Sequence, residues 1–225
     1  VAAGVLIFAA GIMASFISRR ERPPDGPRLL LRRRYSLYYW LTFLEGCRRQ
    51  IFATFAPFAL IVVYGARVET MLTLALVNAA VSTVASPLIG RWIDRLGERR
   101  ILLFYYAALV AVFAGYAFIP RAGVLYGLYM FDNLLFAFGL AITTYLNGIV
   151  RDGEMTPTLT MGTTMNHVAA VVVPVTGGVL WKVVGNFRIP FLIGIGVLLL
   201  SLDAARRLPA LNVSEPLAEE PATSA

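Results

Sequence analysis

Residues 101–119 read ILLFYYAALVAVFAGYAFI, with no charged side chain. A helix that crosses a bilayer needs ~20 mostly apolar residues, because the hydrocarbon core is ~30 Å thick and the helix rises ~1.5 Å per residue. The run is too long for a membrane strand and lacks period-two alternation. Arg99 and Arg100 bound it on one side, and Pro120, Arg121 and Gly123 on the other. Six further runs of this kind lie outward from it, at 1–18, 35–64, 70–90, 124–150, 159–181 and 189–205.

The breaks between runs have physical causes. Arg19 to Arg34 is basic and holds Pro23, Pro24, Gly26 and Pro27, which predicts a linker over 19–34. Gly65 to Glu69 and Gly185 to Arg188 are short polar turns, and Arg91 to Arg100 is a charged loop. Arg151 to Pro157 ends in Thr-Pro, a helix-start signal. After Arg207 the chain is rich in Pro, Ala, Ser and Glu, which predicts a disordered tail over 208–225.

Composition agrees with this reading. The chain is 58% hydrophobic and 15% charged, whereas soluble domains carry about a quarter charged residues. The fold class expected is an all-α membrane protein. The net charge of +7 comes from clustered basic residues, so nucleic acid is not the expected partner; the lipid bilayer is. Cys47 is the single cysteine and sits in an apolar run, where it packs and forms no internal disulfide. The chain opens mid-hydrophobic at Val1, and basic residues follow the first run instead of preceding it. That order disfavours a signal peptide and leads us to expect further helices upstream.

Basic residues orient the spans. One side receives Arg19, Arg20, Arg22, Arg28, Arg32, Arg33, Arg34, Arg91, Arg95, Arg99, Arg100, Arg151, Arg206 and Arg207, and the other Arg67, Arg121, Lys182 and Arg188. The first side is therefore expected to be cytoplasmic. The C-terminus then lies inside a cell (inner) membrane and Val1 near the outer face.

The loop after run 70–90 reads Gly90-Arg91-Trp92-Ile93-Asp94-Arg95-Leu96-Gly97-Glu98-Arg99-Arg100. Gly90 allows close helix approach and Gly97 a reversal of the backbone. Asp94 can accept backbone N–H groups at a neighbouring helix start. Arg95, Arg99 and Arg100 suit the headgroup level of a cytoplasmic turn. This loop resembles the major facilitator superfamily signature G-x-x-x-D-R-x-G-x-R-R, with Trp92 where that family usually has Leu and Glu98 where it usually has a base. The resemblance implies a six-helix C-terminal bundle over 35–207. It implies that 1–18 is the end of a sixth helix, that 19–34 is the cytoplasmic central linker, and that an N-terminal half of the same chain is the missing partner. Residues Thr158 to Trp181, with Met165-Asn166-His167 and Gly177-Gly178, also look like an eleventh helix of that family.

Ionisable groups inside spans are costly and point to a site or an internal pair. Run 35–64 holds Glu45, Arg48 and Arg49, spaced to share one helical face with Tyr38 and Thr42. Run 124–150 holds Asp132 and Asn133, leading a stripe through Gly139, Thr143 and Asn147. Run 159–181 clusters Thr160, Thr163, Thr164, Asn166 and His167, and Asn78 is a weaker member in run 70–90. Runs 101–119 and 189–205 carry no charge in their apolar cores, Asp203 standing near the end of the second. In the resembled family, the spans corresponding to the charged runs line the central cavity or flank it, and those corresponding to the charge-free runs lie outside. By helical rise Arg48 and Arg49 lie ~20 Å and His167 ~13 Å from the inner side, and Asp132 ~12 Å from the outer side, close to a common layer.

Glu45 can pair with Arg48 or Arg49 but cannot neutralise both, so one guanidinium is left for Asp132, a substrate anion or water. Asp132 can serve as a structural pair or carry a coupling proton. His167 can be a hydrogen-bonded interior group or a proton relay, and Asn166 and Asn78 can bond between helices. Pro57 and Pro174 should kink or open their helices.

The function expected is secondary transport of a small-molecule substrate by alternating access, coupled to an ion gradient such as protons. A non-transporting receptor or scaffold on the same fold is the alternative. No nucleotide-binding loop, HExxH or GxSxG occurs, and one His and one Cys sit in different spans. No enzyme activity, metal or cofactor is therefore expected.

Overall fold

The structure is a computed structural model, and it describes residues 29–209. The expected span at 1–18, the linker from 19 to 28 and the tail from 210 onward lie outside the described residues. Between them the chain forms seven α-helices. These are α1 (Ser36–Phe58), α2 (Val68–Leu96), α3 (Glu98–Phe118), α4 (Ala122–Leu135), α5 (Leu140–Ile149), α6 (Met155–Val184) and α7 (Ile189–Arg206). A 3₁₀ turn, Arg33–Tyr35, opens α1, and a π-helical segment, Ala59–Val63, extends it. A 3₁₀ turn, Phe136–Gly139, joins α4 to α5 within a single span. Among the described residues, six helical segments are long and apolar enough to cross a membrane: Arg33–Val63, Val68–Leu96, Glu98–Phe118, Ala122–Ile149, Met155–Val184 and Ile189–Arg206. This is an all-helical bundle of a multi-pass membrane protein.

Each apolar run within 35–205 becomes one of these segments, and the differences lie at the ends. Helix α2 continues through the charged stretch to Leu96. Arg and Asp break no helix when they stand at its wet end; the reversal falls on Gly97 alone, with φ 78° and ψ 152°, a region essentially restricted to glycine. Pro57 lacks the N–H that would bond one turn back. The ladder then widens just beyond it: the Tyr64 N–H donates to the Ala59 carbonyl at 3.2 Å and the Ala66 N–H to the Leu60 carbonyl at 2.8 Å. Pro174 is carried inside α6 without ending it.

Packing follows a pattern. Helix α1 lies against α6 and α7, while α4 lies against α2 and α3; α3 and α7 pack on each other. The two triplets α1–α2–α3 and α4/α5–α6–α7 thus exchange roles. Small residues set the close approaches, as expected where lipid supplies little hydrophobic drive between helices. A Cβ on Gly46 would meet Ala169 Cβ of α6 at 3.0 Å. One on Gly177 would meet the Phe55 ring at 2.6 Å, and one on Gly194 would collide with Phe113. Gly178, its neighbour, faces nothing within 4 Å.

The core is aromatic. Tyr105, Tyr106, Phe113 and Tyr116 of α3 are fully or almost fully buried with Phe191 of α7, and Tyr116 stacks on Phe191 at 4.9 Å. Helix α3, charge-free from Ile101 onward, is thus the most enclosed within the bundle, with 56% of its apolar window buried, against 11% for α2 and 6% for α6. An uncharged sequence suits a helix packed on neighbours as well as one facing lipid. Helices α2 and α6 carry rows of exposed side chains, including Leu72, Leu76 and Val84, and Val171, Val175 and Val183.

One end of the bundle is tied by polar contacts. Glu154, just before α6, takes the Arg32 guanidinium at 3.0 Å and the Tyr35 hydroxyl at 2.6 Å, and the Arg151 backbone N–H donates to Tyr35 Oη at 3.3 Å. The start of α1 and the turn between α5 and α6 therefore share one face.

Candidate functional site

Arg48 lies near the middle of the segment Arg33–Val63 and is 1% exposed. A guanidinium there must be paired, and three helices supply its partners. Its Nη2 donates to Glu45 Oε1 at 2.5 Å, one turn back on α1, and to the Tyr105 hydroxyl of α3 at 3.0 Å. Its Nη1 donates to both oxygens of Asp132 on α4, at 3.1 and 3.4 Å. The Tyr105 hydroxyl donates to Glu45 Oε1 at 2.8 Å. Two buried atoms in this knot have no partner among the described residues: Glu45 Oε2 and Arg48 Nε.

Arg49 takes a different course. It is exposed, stacks its guanidinium over the Phe136 ring at 4.6 Å, and forms no ion pair with a described carboxylate. Of the two arginines that Glu45 could not satisfy together, the free one is therefore Arg49. Helical geometry explains the division, since one residue of sequence turns the side chain by about 100°. Arg48 points at α3 and α4, and Arg49 at open space.

That space is a cavity of about 520 Å³, within the usual range for small-molecule sites. Helix α1 lines it with Tyr38, Thr42, Glu45 and Arg49, α2 with Ser82 and Ser86, and α6 with Gly162, Thr163 and Asn166. Asn133, Phe136, Gly139 and Thr143 come from the broken span α4–α5. A second cavity of about 310 Å³ is lined by Arg48, Phe52, Tyr129 and Asp132, and shares Arg49, Asn133 and Phe136 with the first. The 3₁₀ turn Phe136–Gly139 thus sits where the two spaces meet, and irregular backbone at membrane depth is tolerated where it borders a cavity.

Three hydroxyls around the cavity spend their protons locally. Thr42 bonds the Tyr38 carbonyl at 2.9 Å, Ser86 that of Ser82 at 2.6 Å, and Thr163 that of Leu159 at 3.0 Å. Asn133 donates to the Tyr129 carbonyl at 2.8 Å. Such back-bonding removes them as donors to a ligand. Arg49 is left as the strongest donor facing the space.

The site residues expected from sequence are therefore divided. Glu45, Arg48 and Asp132 meet in one network; Arg49, Asn133 and Asn166 line the cavity with Glu45. His167 is exposed and does not line it. Asn78 is 6% exposed, and its Oδ1 has no partner among the described residues. The loop residues Gly90, Asp94, Arg95, Gly97, Arg99 and Arg100 stand at the end of α2 and start of α3, away from the cavity. Asp94 is exposed. Sequence reading missed Tyr105 and Phe136. Tyr105 stands in a charge-free run where a hydroxyl was the only signal, and Phe136 gave none. Among the described residues no group of His, Cys, Asp and Glu could hold a metal ion.

Comparison with family models, with curated proteins and with solved structures finds no match to this chain.

Proposed function

We propose that this protein is a secondary transporter of the major facilitator type, moving a small solute by alternating access. The observation that carries the reading is the buried Glu45–Arg48–Asp132 network at mid-span, beside an open polar cavity between helices. Ionisable groups at this depth are retained for solute or proton pathways, and midplane sites at the junction of repeats are where transporters bind. The exchange of roles between α1–α2–α3 and α4/α5–α6–α7 supports it, because three-span inverted repeats build each half of such transporters. The loop signature from Gly90 to Arg100 points the same way. On this reading the open faces of α2 and α6 meet a second six-helix half, and the end bearing Gly97 and Glu154 is cytoplasmic.

Alternating access can be tested without knowing the solute. In the full-length protein with C47A, T143C places a thiol in the cavity, and membrane-impermeant maleimides are added from one side or the other of sealed vesicles. A transporter is labelled from each side in turn. Labelling from a single side under all conditions would favour a receptor or scaffold with one fixed opening.

A further inference from the structure

We propose that the cavity takes a small anion on Arg49, and that each anion bound is matched by one proton taken up on Glu45. This names the solute class for the transport reading and rests on it only for movement of the bound pair.

Four formal charges meet at the site: Glu45 and Asp132 against Arg48 and Arg49. They sum to zero, but they are unevenly shared. Arg48 is held by both carboxylates, whereas Arg49 has an aromatic ring beneath it and the cavity before it. A guanidinium stacked on one face keeps its N–H edges free, and those edges match a carboxylate or phosphate. The nearby hydroxyls that back-bond their own helices are no rival donors. The cavity is thus built to attract negative charge at one point.

An anion landing there leaves the cluster one negative charge in excess, within a medium that tolerates little. A proton restores neutrality, and the structure distinguishes where it goes. Both Asp132 oxygens accept from Arg48. Among the described residues Glu45 uses only Oε1, toward Arg48 and Tyr105, while Oε2 is buried and without a partner. Protonation at Oε2 leaves the existing bonds in place and removes one charge. The charged and titratable groups around Glu45 are Tyr38, Arg48 and Arg49 on α1, Tyr105 and Tyr106 on α3, and Asp132 on α4. Helices α2, α5 and α6 turn only neutral groups to this space, and His167 lies off it.

The test uses the full-length protein in detergent with two monoanionic probes, benzoate and L-lactate, and with benzamide and lactamide as their neutral counterparts. Calorimetry in buffers of different ionisation enthalpy gives both affinity and protons taken up. At least one anion should bind with close to one proton, and neither amide should. R49Q, which leaves the buried network intact, should weaken binding by roughly 10- to 100-fold. E45Q should bind without proton uptake and with affinity independent of pH. Failure of both anions to bind, wild-type affinity in R49Q, or binding without proton uptake in the unaltered protein would each overturn the proposal. The last readout needs no variant, so a misfolded E45Q leaves the proposal open to refutation. Flux of the bound anion into liposomes separates the two claims. Arg49-dependent, proton-linked binding without flux ends the transport reading alone; flux undiminished in R49Q ends the anion proposal alone.

Discussion

Two adjacent arginines with opposite roles give the sharpest statement at the residue scale. Arg48 is enclosed by Glu45, Tyr105 and Asp132. Removing its charge leaves two carboxylates buried beside each other, and breaking such a set costs about 3–5 kcal/mol. Arg49 has only the Phe136 ring to lose, about 0.5–1 kcal/mol for an exposed cation on a ring. R48Q should therefore unfold at clearly lower denaturant than the parent in detergent, and R49Q almost with it. Equal losses in the two would contradict the division of roles. Sequence spacing placed both on the face of Glu45. It could not say which one the acid would take, because that depended on where α3 and α4 stood.

At the scale of elements, helix contacts rest on small residues whose neighbours in sequence do nothing similar. Gly177 of α6 is pressed by the Phe55 ring of α1, and Gly178 is open. G177V should cost about 1–3 kcal/mol through overpacking. G178A should be neutral or stabilising by about 0.5–1 kcal/mol, since alanine is the better helix former. Thermal denaturation of the two variants side by side reads the contrast. The reversal between α2 and α3 rests on one residue. Gly97 holds φ 78° and ψ 152°, and a Cβ there costs about 1–3 kcal/mol of strain. G97A should lower the melting temperature and open the turn to protease; an unchanged melting temperature and cleavage pattern would mean that the turn has another conformation. The sequence already marked Gly97 as the reversal. It did not mark the 3₁₀ turn at Phe136–Gly139, because neither Pro nor a charge announces it and only the cavity beside it explains it.

For the molecule as a whole, six alternating spans put the start of α1, the α2–α3 turn, the α5–α6 turn and the end of α7 on one face. Contacts of Glu154 with Arg32 and Tyr35 join two of these ends directly. The basic residues gather on this face, and the orientation we propose from the positive-inside rule turns it to the cytoplasm. With C47A as background, E98C should react with an impermeant maleimide only from the cytoplasmic side, and R121C only from the opposite side. The reverse result would invert the orientation and every depth argued from it.

Chain chemistry alone determined that residues 35–205 would be helical and would span a bilayer, because in hydrocarbon each backbone polar group must bond within its own segment and the apolar runs have the length to do so. It also chose the helices that would carry the polar site, since charge at that depth is rare enough to be conspicuous. What tertiary structure decided was who met whom: Arg48 with Asp132, Tyr105 drawn in from a charge-free run, Arg49 left facing the cavity, and His167 turned away from it. Those outcomes depend on the rotation and separation of packed helices. Periodicity fixes which residues share a face of one helix, but the facing partner is set by packing between helices far apart in the chain.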